Sequence, residues 1–251
     1  MSNGIVSEFQ VKLEQAITFP FNLILQGEQG VGKEYFARLI HEKRFWAKDF
    51  VTLDWECGHS YQLKVVDELV KNHLTGMFNL SSKERNTYFF RRIDAVDWHM
   101  QEMIFDLLES EATKKGLLKS QLHQLGIIAS LEQKKGNREE ISTPTLNSLL
   151  DFFPLRMKIP ALRQRKEDLI PLMRTILESV NRQQNRKVSG FSVDTFHFFL
   201  DHDWPNNIDE LRSEIERTAT LTKDYDLIRP EVLSEKLIRS HKVLRPNSCM
   251  S

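Results

Sequence analysis

The sequence predicts an α/β domain with a mostly parallel β-sheet, followed by a small bundle of helices. Short apolar runs alternate with amphipathic helical stretches through the first two thirds of the chain, a pattern typical of a parallel sheet covered by helices. Beyond Pro160 the apolar residues recur at helical spacing instead. We therefore expect an α/β subdomain at residues 1–166, a helical subdomain at 167–239 and a tail at 240–251.

The first predicted strand and the first predicted helix flank a glycine-rich turn. The apolar run at residues 21–25 is short and lies between Pro20 and Gly27, as expected of a buried strand. After the turn, apolar residues at helical spacing predict a helix: Tyr35, Phe36, Leu39 and Ile40. Further strands are predicted at residues 50–53, 88–93 and 125–130, with helices at 62–71 and 100–109.

The last third of the chain has the pattern of a helical bundle. One face of an amphipathic helix is formed by Leu169, Ile170, Met173, Ile176, Leu177 and Val180. Three more helices are predicted at residues 191–200, 208–221 and 230–238. A polar loop at residues 185–190 separates the first of these four helices from the second.

The charge and cysteine content argue against several classes of protein. The 251 residues include 35 Lys plus Arg and 35 Asp plus Glu, so the formal net charge is zero. Because proteins that bind DNA on their own usually carry a basic excess, we expect no direct DNA binding. Cys57 and Cys249 are too few for a disulfide framework or a cysteine-based zinc site, and the histidines lack ligand spacing. No segment resembles a signal peptide or a membrane span, which predicts a cytoplasmic protein.

The glycine-rich turn matches the phosphate-binding pattern G-x-x-x-x-G-K. Its residues are Gly27, Glu28, Gln29, Gly30, Val31, Gly32, Lys33 and Glu34, with Glu34 where Ser or Thr is usual. The glycines let backbone N–H groups turn toward phosphate oxygens, while Lys33 and the following helix N-terminus supply positive charge. This phosphate loop predicts binding of ATP or ADP; the alternative is a turn kept for its shape alone.

The phosphate loop and the residues after it resemble a motif of the sigma-54-dependent transcription activators, the bacterial enhancer-binding AAA+ proteins. The loop followed by YFARLIH is similar to their GESGTGKE-lvAraIH segment. Residues 159–169 resemble LPPLRERxEDI, residues 204–211 resemble WPGNVREL, and residues 226–231 match the turn that closes the family's helical lid. The likeness covers about residues 10–238. It implies a P-loop AAA+ core with a parallel sheet covered by helices, and a small C-terminal helical lid.

The chain departs from the family where the Walker B strand ends. The family has Asp-Glu there, which bind Mg²⁺ and polarise water, and the corresponding residues here are Arg91 and Arg92. Arginine stays protonated and cannot bind Mg²⁺. Asp94 and Asp97 lie nearby but beyond the expected end of the strand. The two arginines either replace Mg²⁺ as counter-charge to phosphates, or turn outward or pair with these aspartates.

Other working positions of the family also differ. The sensor I threonine corresponds to Leu131, and the sensor II arginine corresponds to Asp209, an anion that would repel a γ-phosphate. The arginine fingers align with Thr145 and Asp151, although a shifted alignment would bring in Arg156.

Two further family features are missing from the sequence. The GAFTGA loop that contacts sigma-54 does not occur in the sequence. The segment that would contain it is also shorter than in the family, since only 23 residues separate Glu68 from Arg91. Residues 73–78 are expected to be an ordinary helix end. The 13 residues after Ile238 are too few for the family's helix-turn-helix.

Together these departures predict a degenerate family member, with no catalytic residue and no metal ligand assigned. It would bind ATP or ADP, with Mg²⁺ dependence open, or would have lost nucleotide binding. It would regulate transcription by contacting other AAA+ or transcription-regulatory proteins, as a homo- or hetero-oligomer. Two alternatives remain open: an active ATPase mechanoenzyme with rerouted catalytic residues acting on RNA polymerase, and a DNA-bound regulator.

Overall fold

The computed structural model describes residues 2–19, 21–44, 47–54, 59–68, 77–78, 85–133 and 144–244. These residues form two compact units. The α/β unit comprises residues 3–28 and 32–159, and the helical unit combines residues 29–31 with the chain from Pro160 onward. The tip of the phosphate loop, residues 29–31, therefore belongs to the helical unit.

A five-stranded parallel sheet forms the centre of the α/β unit. Its strands are β1 (Leu23–Gly27), β2 (Ala47–Asp54), β3 (Arg85–Arg91), β4 (Ile127–Glu132) and β5 (Leu155–Lys158), in the order β2-β3-β4-β1-β5. Neighbouring strands pair in parallel, with Phe90 opposite Ala129 and Gly27 opposite Glu132. The carboxyl ends of β1, β3 and β4 thus meet at one edge of the sheet.

Helices accompany the strands, as expected for a parallel sheet whose two faces must both be covered. They are α1 (Ser2–Thr18), α2 (Lys33–Lys43), α3 (His59–Glu68), α4 (Trp98–Lys114), α5 (Lys119–Leu122) and α6 (Pro144–Leu150). Consecutive strand residues are almost completely buried, among them Leu23, Ile24 and Leu25 in β1 and Tyr88, Phe89 and Phe90 in β3. This explains why β1 and the second half of β3 appear in the sequence as continuous apolar runs.

The predicted fold class is confirmed, but some elements were shifted or missed. The strands expected at residues 21–25, 50–53, 88–93 and 125–130 correspond to β1 to β4, with ends displaced by a few residues. The strand β5 and the helix α1 were not predicted. In β5 only Leu155 and Met157 are apolar, a signal too short to recognise without its neighbour β1.

Asn22 joins the start of β1 to its surroundings from a fully buried position. Its amide nitrogen donates to the carbonyl oxygens of Leu122, at 2.8 Å, and Phe152, at 2.9 Å. Its side-chain oxygen accepts from the backbone N–H of Ile127 at the start of β4, at 3.1 Å. One side chain therefore satisfies three backbone groups that would otherwise be left without partners inside the protein.

The described part of the helical unit contains four α-helices and a two-stranded parallel ladder. The helices are α7 (Leu169–Gln183), α8 (Val193–Asp201), α9 (Asn207–Leu221) and α10 (Glu235–Leu244), and the ladder pairs β6 (Gly190–Phe191) with β7 (Leu227–Ile228). The apolar face predicted for α7 is buried, except for partly buried Ile170. It packs in one core with Phe199, Trp204, Leu211 and Ile215.

The last predicted helix needs correction. The segment expected to be helical at residues 230–238 begins with a 3-10 turn at Pro230–Val232, and α10 starts only at Glu235. Proline at the first position of the turn fits its lack of an N–H donor. The helix α10 then continues to Leu244, so residues 240–244, expected to belong to the tail, are helical. Among the helices of the described segments, none has the length and apolar composition needed to cross a bilayer.

Asn22→Ala should lower the free energy of unfolding by about 3 kcal/mol, because three buried backbone groups lose their partners. Urea denaturation followed by circular dichroism measures this loss. Thr18→Ala is the matched control, since Thr18 donates to the exposed carbonyl of Glu14 within its own helix, and it should change stability by about 0.5 kcal/mol or less. Equal effects of the two substitutions would contradict the bridging role of Asn22.

Candidate phosphate-binding site and the adjacent sheet edge

The phosphate loop connects β1, which ends at Gly27, to α2, which begins at Lys33. Gly30 and Gly32 adopt positive φ angles of 73° and 94°, in the left-handed region where side chains are disfavoured. The sequence therefore needs glycine at both positions for the chain to turn tightly between strand and helix. Val31, between them, is fully buried and anchors the turn.

The start of α2 has the features of a phosphate-binding helix terminus. Its N-cap is Gly32, so no side chain accepts a hydrogen bond from the first-turn N–H groups. These donors and the helix dipole favour an anion at this point. Lys33 Nζ lies at the base of the loop, where it donates to the carbonyl oxygens of Gly27 at 3.0 Å and Glu28 at 2.8 Å. A glycine cradle with a lysine at its base fits the phosphate groups of a nucleotide.

Glu34 occupies the position at which Ser or Thr is usual, and its carboxylate faces along the helix. Its Oε1 accepts hydrogen bonds from Arg38 Nε, at 3.2 Å, and Nη2, at 2.9 Å. This exposed i,i+4 ion pair contributes little stability, typically about 0.3–0.5 kcal/mol. It does, however, place a carboxylate rather than a hydroxyl beside the first turn of α2.

Within the helical unit, residues beyond Pro160 donate hydrogen bonds to the carbonyl oxygens of the loop tip, residues 29–31. Asn207 Nδ2 donates to the carbonyl of Gln29 at 2.8 Å, and the N–H of Ile208 donates to the carbonyl of Gly30 at 2.9 Å. The guanidinium of Arg165, which is largely buried, donates to the carbonyl of Val31 at 2.7 Å. Because these contacts use carbonyls, they fix the loop without consuming its amide donors.

Asn207 is the centre of this arrangement. It is fully buried with a φ of 51°, a left-handed conformation that asparagine tolerates better than most residues. Its Oδ1 accepts from the N–H of Leu162 at 2.8 Å, while its Nδ2 reaches Gln29. One amide side chain therefore links the segment after Pro160 to the loop tip at the start of α9.

Gly30 also lies very close to the turn before α9. A β-carbon at this position would lie 2.3 Å from the carbonyl oxygen of Asn206, which is far inside van der Waals contact. The same β-carbon would lie 3.0 Å from Oδ2 of Asp209. The carboxylate that the resemblance aligns with sensor II thus lies directly beside the loop tip.

The carboxyl ends of β2, β3 and β4 carry a cluster of charged side chains. Arg91, at the end of β3, pairs with Asp54, at the end of β2, with 2.9 Å between Nη1 and Oδ2. Arg92 has a left-handed conformation with φ 55°, and its backbone N–H donates to Ser130 Oγ at 2.9 Å. Arg91 and Arg92 are therefore consecutive residues at the end of β3, but they contact different residues: Asp54 in the first case and Ser130 in the second.

Arg92 neutralises two carboxylates. Its Nε and Nη2 donate to Asp94, with distances of 3.2–3.3 Å, and its Nη1 forms an ion pair with Glu132 at the end of β4. The side chains of Arg92, Asp94 and Glu132 each expose only about a quarter of their surface, or less, to solvent. The N–H of Glu132 donates to Asp94 Oδ1 at 3.3 Å, which closes the network.

This network does not fit Mg²⁺. A divalent cation needs carboxylate oxygens that are available to it, and the acids nearest the end of β3 are bound to guanidinium groups. Among the described residues, no three His, Cys, Asp or Glu side chains converge as metal ligands would. The pairing of Arg92 with Asp94 is one of the arrangements that the sequence predicted. Asp97 differs: its Oδ1 caps α4 by accepting from the N–H of Met100.

The remaining positions singled out in the sequence are spread over the α/β unit. Leu131 lies in β4, one residue before Glu132. Thr145 lies in α6, Asp151 is exposed just after that helix, and Arg156 lies in β5. Of the segment at residues 73–78, all but its last two residues lie outside the described residues.

Two family models match the chain, and together they cover most of it. The sigma-54 interaction domain matches residues 2–138, and the AAA+ ATPase lid domain matches residues 163–248. The first match alone spans more than half of the chain. The chain belongs to the sigma-54 interaction domain family. The resemblance seen in the sequence is thereby confirmed, and so is the helical lid.

Two of the individual relatives are regulators of greater length. The chain is 27% identical over 249 residues to the phenol regulator MopR of Acinetobacter guillouiae, covering 92% of this chain and 42% of that protein. It is 26% identical over 215 residues to the transcriptional regulatory protein ZraR of Escherichia coli, covering 81% and 48%. The chain thus spans about half the length, or less, of these relatives.

Solved structures share the fold. A crystal structure of NtrX from Brucella abortus aligns with a TM-score of 0.68 and 18% identity, over 93% of this chain and 54% of that one. The RuvB Holliday junction branch migration motor of Thermotoga maritima aligns with a TM-score of 0.53 and 12% identity, over 96% and 69%. These likenesses establish the AAA+ fold of the sigma-54 interaction domain described here.

Several residues of the site were not foreseen from the sequence. Asp54 and Glu132 lie far along the chain from the arginines that they pair with, and Asn207 lies 178 residues from Gln29. A partial signal existed for Asn207, since it belongs to the WPNNIDEL segment. No local pattern indicated Asp54.

Gly30→Ala should destabilise the protein by about 2 kcal/mol more than Gly116→Ala, because its new methyl group would overlap the carbonyl of Asn206. Both glycines have positive φ, so the backbone cost is shared, whereas a β-carbon at Gly116 would meet open space. Thermal unfolding of both variants measures the difference. Equal destabilisation would rule out the close approach of Asn206 to the loop.

Proposed function

We propose that this chain is a degenerate sigma-54-activator-like AAA+ module that binds ATP or ADP and regulates transcription through protein contacts without hydrolysing nucleotide. The observation that carries this proposal is the ion-pair network at the carboxyl end of β3. Arg91 and Arg92 hold the carboxylates of Asp54, Asp94 and Glu132. Cations thus stand where the family has a metal-binding and a water-polarising acid.

Loss of hydrolysis follows from the chemistry of phosphoryl transfer. The reaction depends on neutralising developing charge and orienting a water molecule, mostly by groups positioned in advance. A guanidinium cannot accept a proton from water, and Arg92 keeps Asp94 and Glu132 engaged. Leu131 and Asp209 also lack the polar or positive groups of their family counterparts. Each such element is worth orders of magnitude in rate, so their combined loss is hard to compensate.

Nucleotide binding is supported by the phosphate loop itself. Gly30 and Gly32 have the required backbone conformations, the first turn of α2 has no side-chain cap, and Lys33 lies at the base of the loop. We assign the contacts with phosphates to residues 27–34. NtrX of Brucella abortus, which shares the fold, has been solved with ADP and with ATP.

The proposed partners are other AAA+ or transcription-regulatory proteins. MopR and ZraR are regulators, so a related module without hydrolysis would act by joining or capping an assembly rather than by driving it. A subunit carrying Asp151 in place of an arginine finger would leave a neighbouring subunit's nucleotide without its trans cation. We place this function in the cytoplasm, with the transcription machinery.

One observation favours the alternative of an active ATPase. Glu132 lies opposite Gly27 in the β1–β4 register, and so beside the start of the phosphate loop. If Arg92 released it, Glu132 could orient a water molecule for attack on a bound triphosphate. This rerouted arrangement makes a distinct prediction, because it requires Glu132.

Lys33→Ala should weaken binding of both ATP and ADP at least about tenfold, since a charge-assisted contact with phosphate is lost. Isothermal titration calorimetry of the wild type and the variant, with and without Mg²⁺, measures the affinities. Lys12→Ala is the control, because Lys12 forms an ion pair with exposed Glu8 on α1, and it should bind as the wild type does. Affinities that do not respond to Lys33 would show that the loop is kept for its shape.

Phosphate release from MgATP by the wild type should equal that of Lys33→Ala, because the arginines at the end of β3 cannot polarise the attacking water and Arg92 engages Glu132. A coupled colorimetric assay at saturating nucleotide measures the rate. Turnover that disappears in both Lys33→Ala and Glu132→Gln would refute the proposal and establish the rerouted ATPase. Turnover that requires Lys33 but survives Glu132→Gln would also refute it, and would place the catalytic base elsewhere.

A further inference from the structure

A pocket of about 350 Å³ lies within the α/β unit, and no residue of the phosphate loop is among the described residues that line it. Its walls come from α4, from the segment between α4 and β4, and from the end of α6. All three belong to the same compact unit. The volume is in the range of pockets that hold small molecules, roughly 300–1,000 Å³. We infer that this pocket binds a small organic cation in which an ammonium group is joined to an aromatic ring.

The interior of the pocket is apolar and partly aromatic. Phe152 and Ala112 are almost completely buried, and the ring of Phe105 meets that of Phe152 edge to face, with 5.7 Å between the ring centroids. Leu117 and Leu122 are partly buried and extend the same hydrophobic cluster. An aromatic ring suits this surface, because its burial removes apolar area from water and adds a further contact between rings. The interior therefore favours an aromatic ligand over a purely polar one.

Hydrogen bonds fix the wall of the pocket that contains Leu122, His123 and Phe152. The side-chain amide of Asn22 donates to the carbonyl oxygens of Leu122, at 2.8 Å, and Phe152, at 2.9 Å. The backbone N–H of Asn22 donates to the carbonyl oxygen of His123 at 2.6 Å. One fully buried residue at the start of β1 thereby ties together two wall segments that are far apart in the chain. Because the protein's own hydrogen bonds hold these segments, the pocket is preformed, and binding requires little further ordering of the backbone.

Two carboxylates give the pocket a negative charge. Glu109 belongs to α4 and Asp151 follows α6, so they come from different walls, and both side chains are exposed to solvent. No lysine or arginine is among the described residues that line the pocket, and half-buried His123 is their only other ionisable side chain. Lys114, further along α4, forms an ion pair with Glu111. An ammonium group beside Glu109 or Asp151 is attracted and an anion is repelled, so the pocket selects a cation.

The test is a titration with tryptamine, an aromatic ammonium, followed by saturation-transfer difference NMR. Indole-3-propionate is the matched control ligand, because it has the same ring system and the opposite charge. We expect the wild type to bind tryptamine with a dissociation constant of about 1 mM, at least about tenfold more tightly than indole-3-propionate. The double substitution Glu109→Gln and Asp151→Asn should weaken tryptamine binding at least about fivefold, since neutral groups of the same shape replace both exposed carboxylates. Glu178→Gln, which removes an exposed carboxylate from α7 in the helical unit, should leave it unchanged.

Several outcomes would overturn the inference. Equal affinity for the two ligands, tryptamine binding that the double substitution does not weaken, or no binding up to about 10 mM would each do so. An equal loss in Glu178→Gln would also do so, since the attraction would then come from the charge of the whole protein. Lys33→Ala should bind tryptamine as the wild type does, because Lys33 does not line the pocket. Loss of binding in that variant would place the ligand at the phosphate loop instead, whereas the other outcomes leave the nucleotide proposal intact.

Discussion

The contact between Gly30 and the turn before α9 is the constraint on which the arrangement of the site depends. The carbonyl of Asn206 occupies the space that a side chain on Gly30 would need, and Ile208 and Asn207 hold the carbonyls of the loop. Such an approach is possible only for a residue without a β-carbon in a left-handed conformation. The loop tip is consequently shaped by the residues after Pro160, and the same turn brings Asp209 to it.

A second constraint is electrostatic and belongs to the edge of the sheet. Parallel strands bring their carboxyl ends together, so charges that follow β2, β3 and β4 in the sequence must be balanced in space. Arg91 and Arg92 are balanced by Asp54, Asp94 and Glu132. Partly buried ion pairs of this kind persist because removing one partner leaves the other charge uncompensated. The arginines thereby neutralise the carboxylates that meet at this edge of the sheet.

The extent to which the fold could be predicted differed between elements for physical reasons. The strand β1 was predicted because both of its faces are buried, which leaves a run of consecutive apolar residues in the sequence. The helix α7 was predicted because one face is buried over several turns, which leaves apolar residues at helical spacing. The strand β5 was not predicted, since Leu155 and Met157 are too short an apolar pattern to indicate a strand until their pairing with β1 is known. In the site, Arg92 could be paired with Asp94 because they are two residues apart, whereas its contact with Glu132 depends on the β3–β4 pairing.

The sequence by itself determined the family, the parallel α/β core with its helical lid and the place of the phosphate loop, because each leaves a local pattern of residue types. It also placed Arg91, Arg92 and Asp209 at positions where the resemblance leads one to expect residues of opposite charge. Only the tertiary structure decided what those charges do: that Arg91 and Arg92 hold carboxylates from three different segments, and that Asp209 lies at the tip of the loop. The reason is that electrostatic interaction depends on distance in space, and residues far apart in the chain become neighbours only when strands pair and turns close.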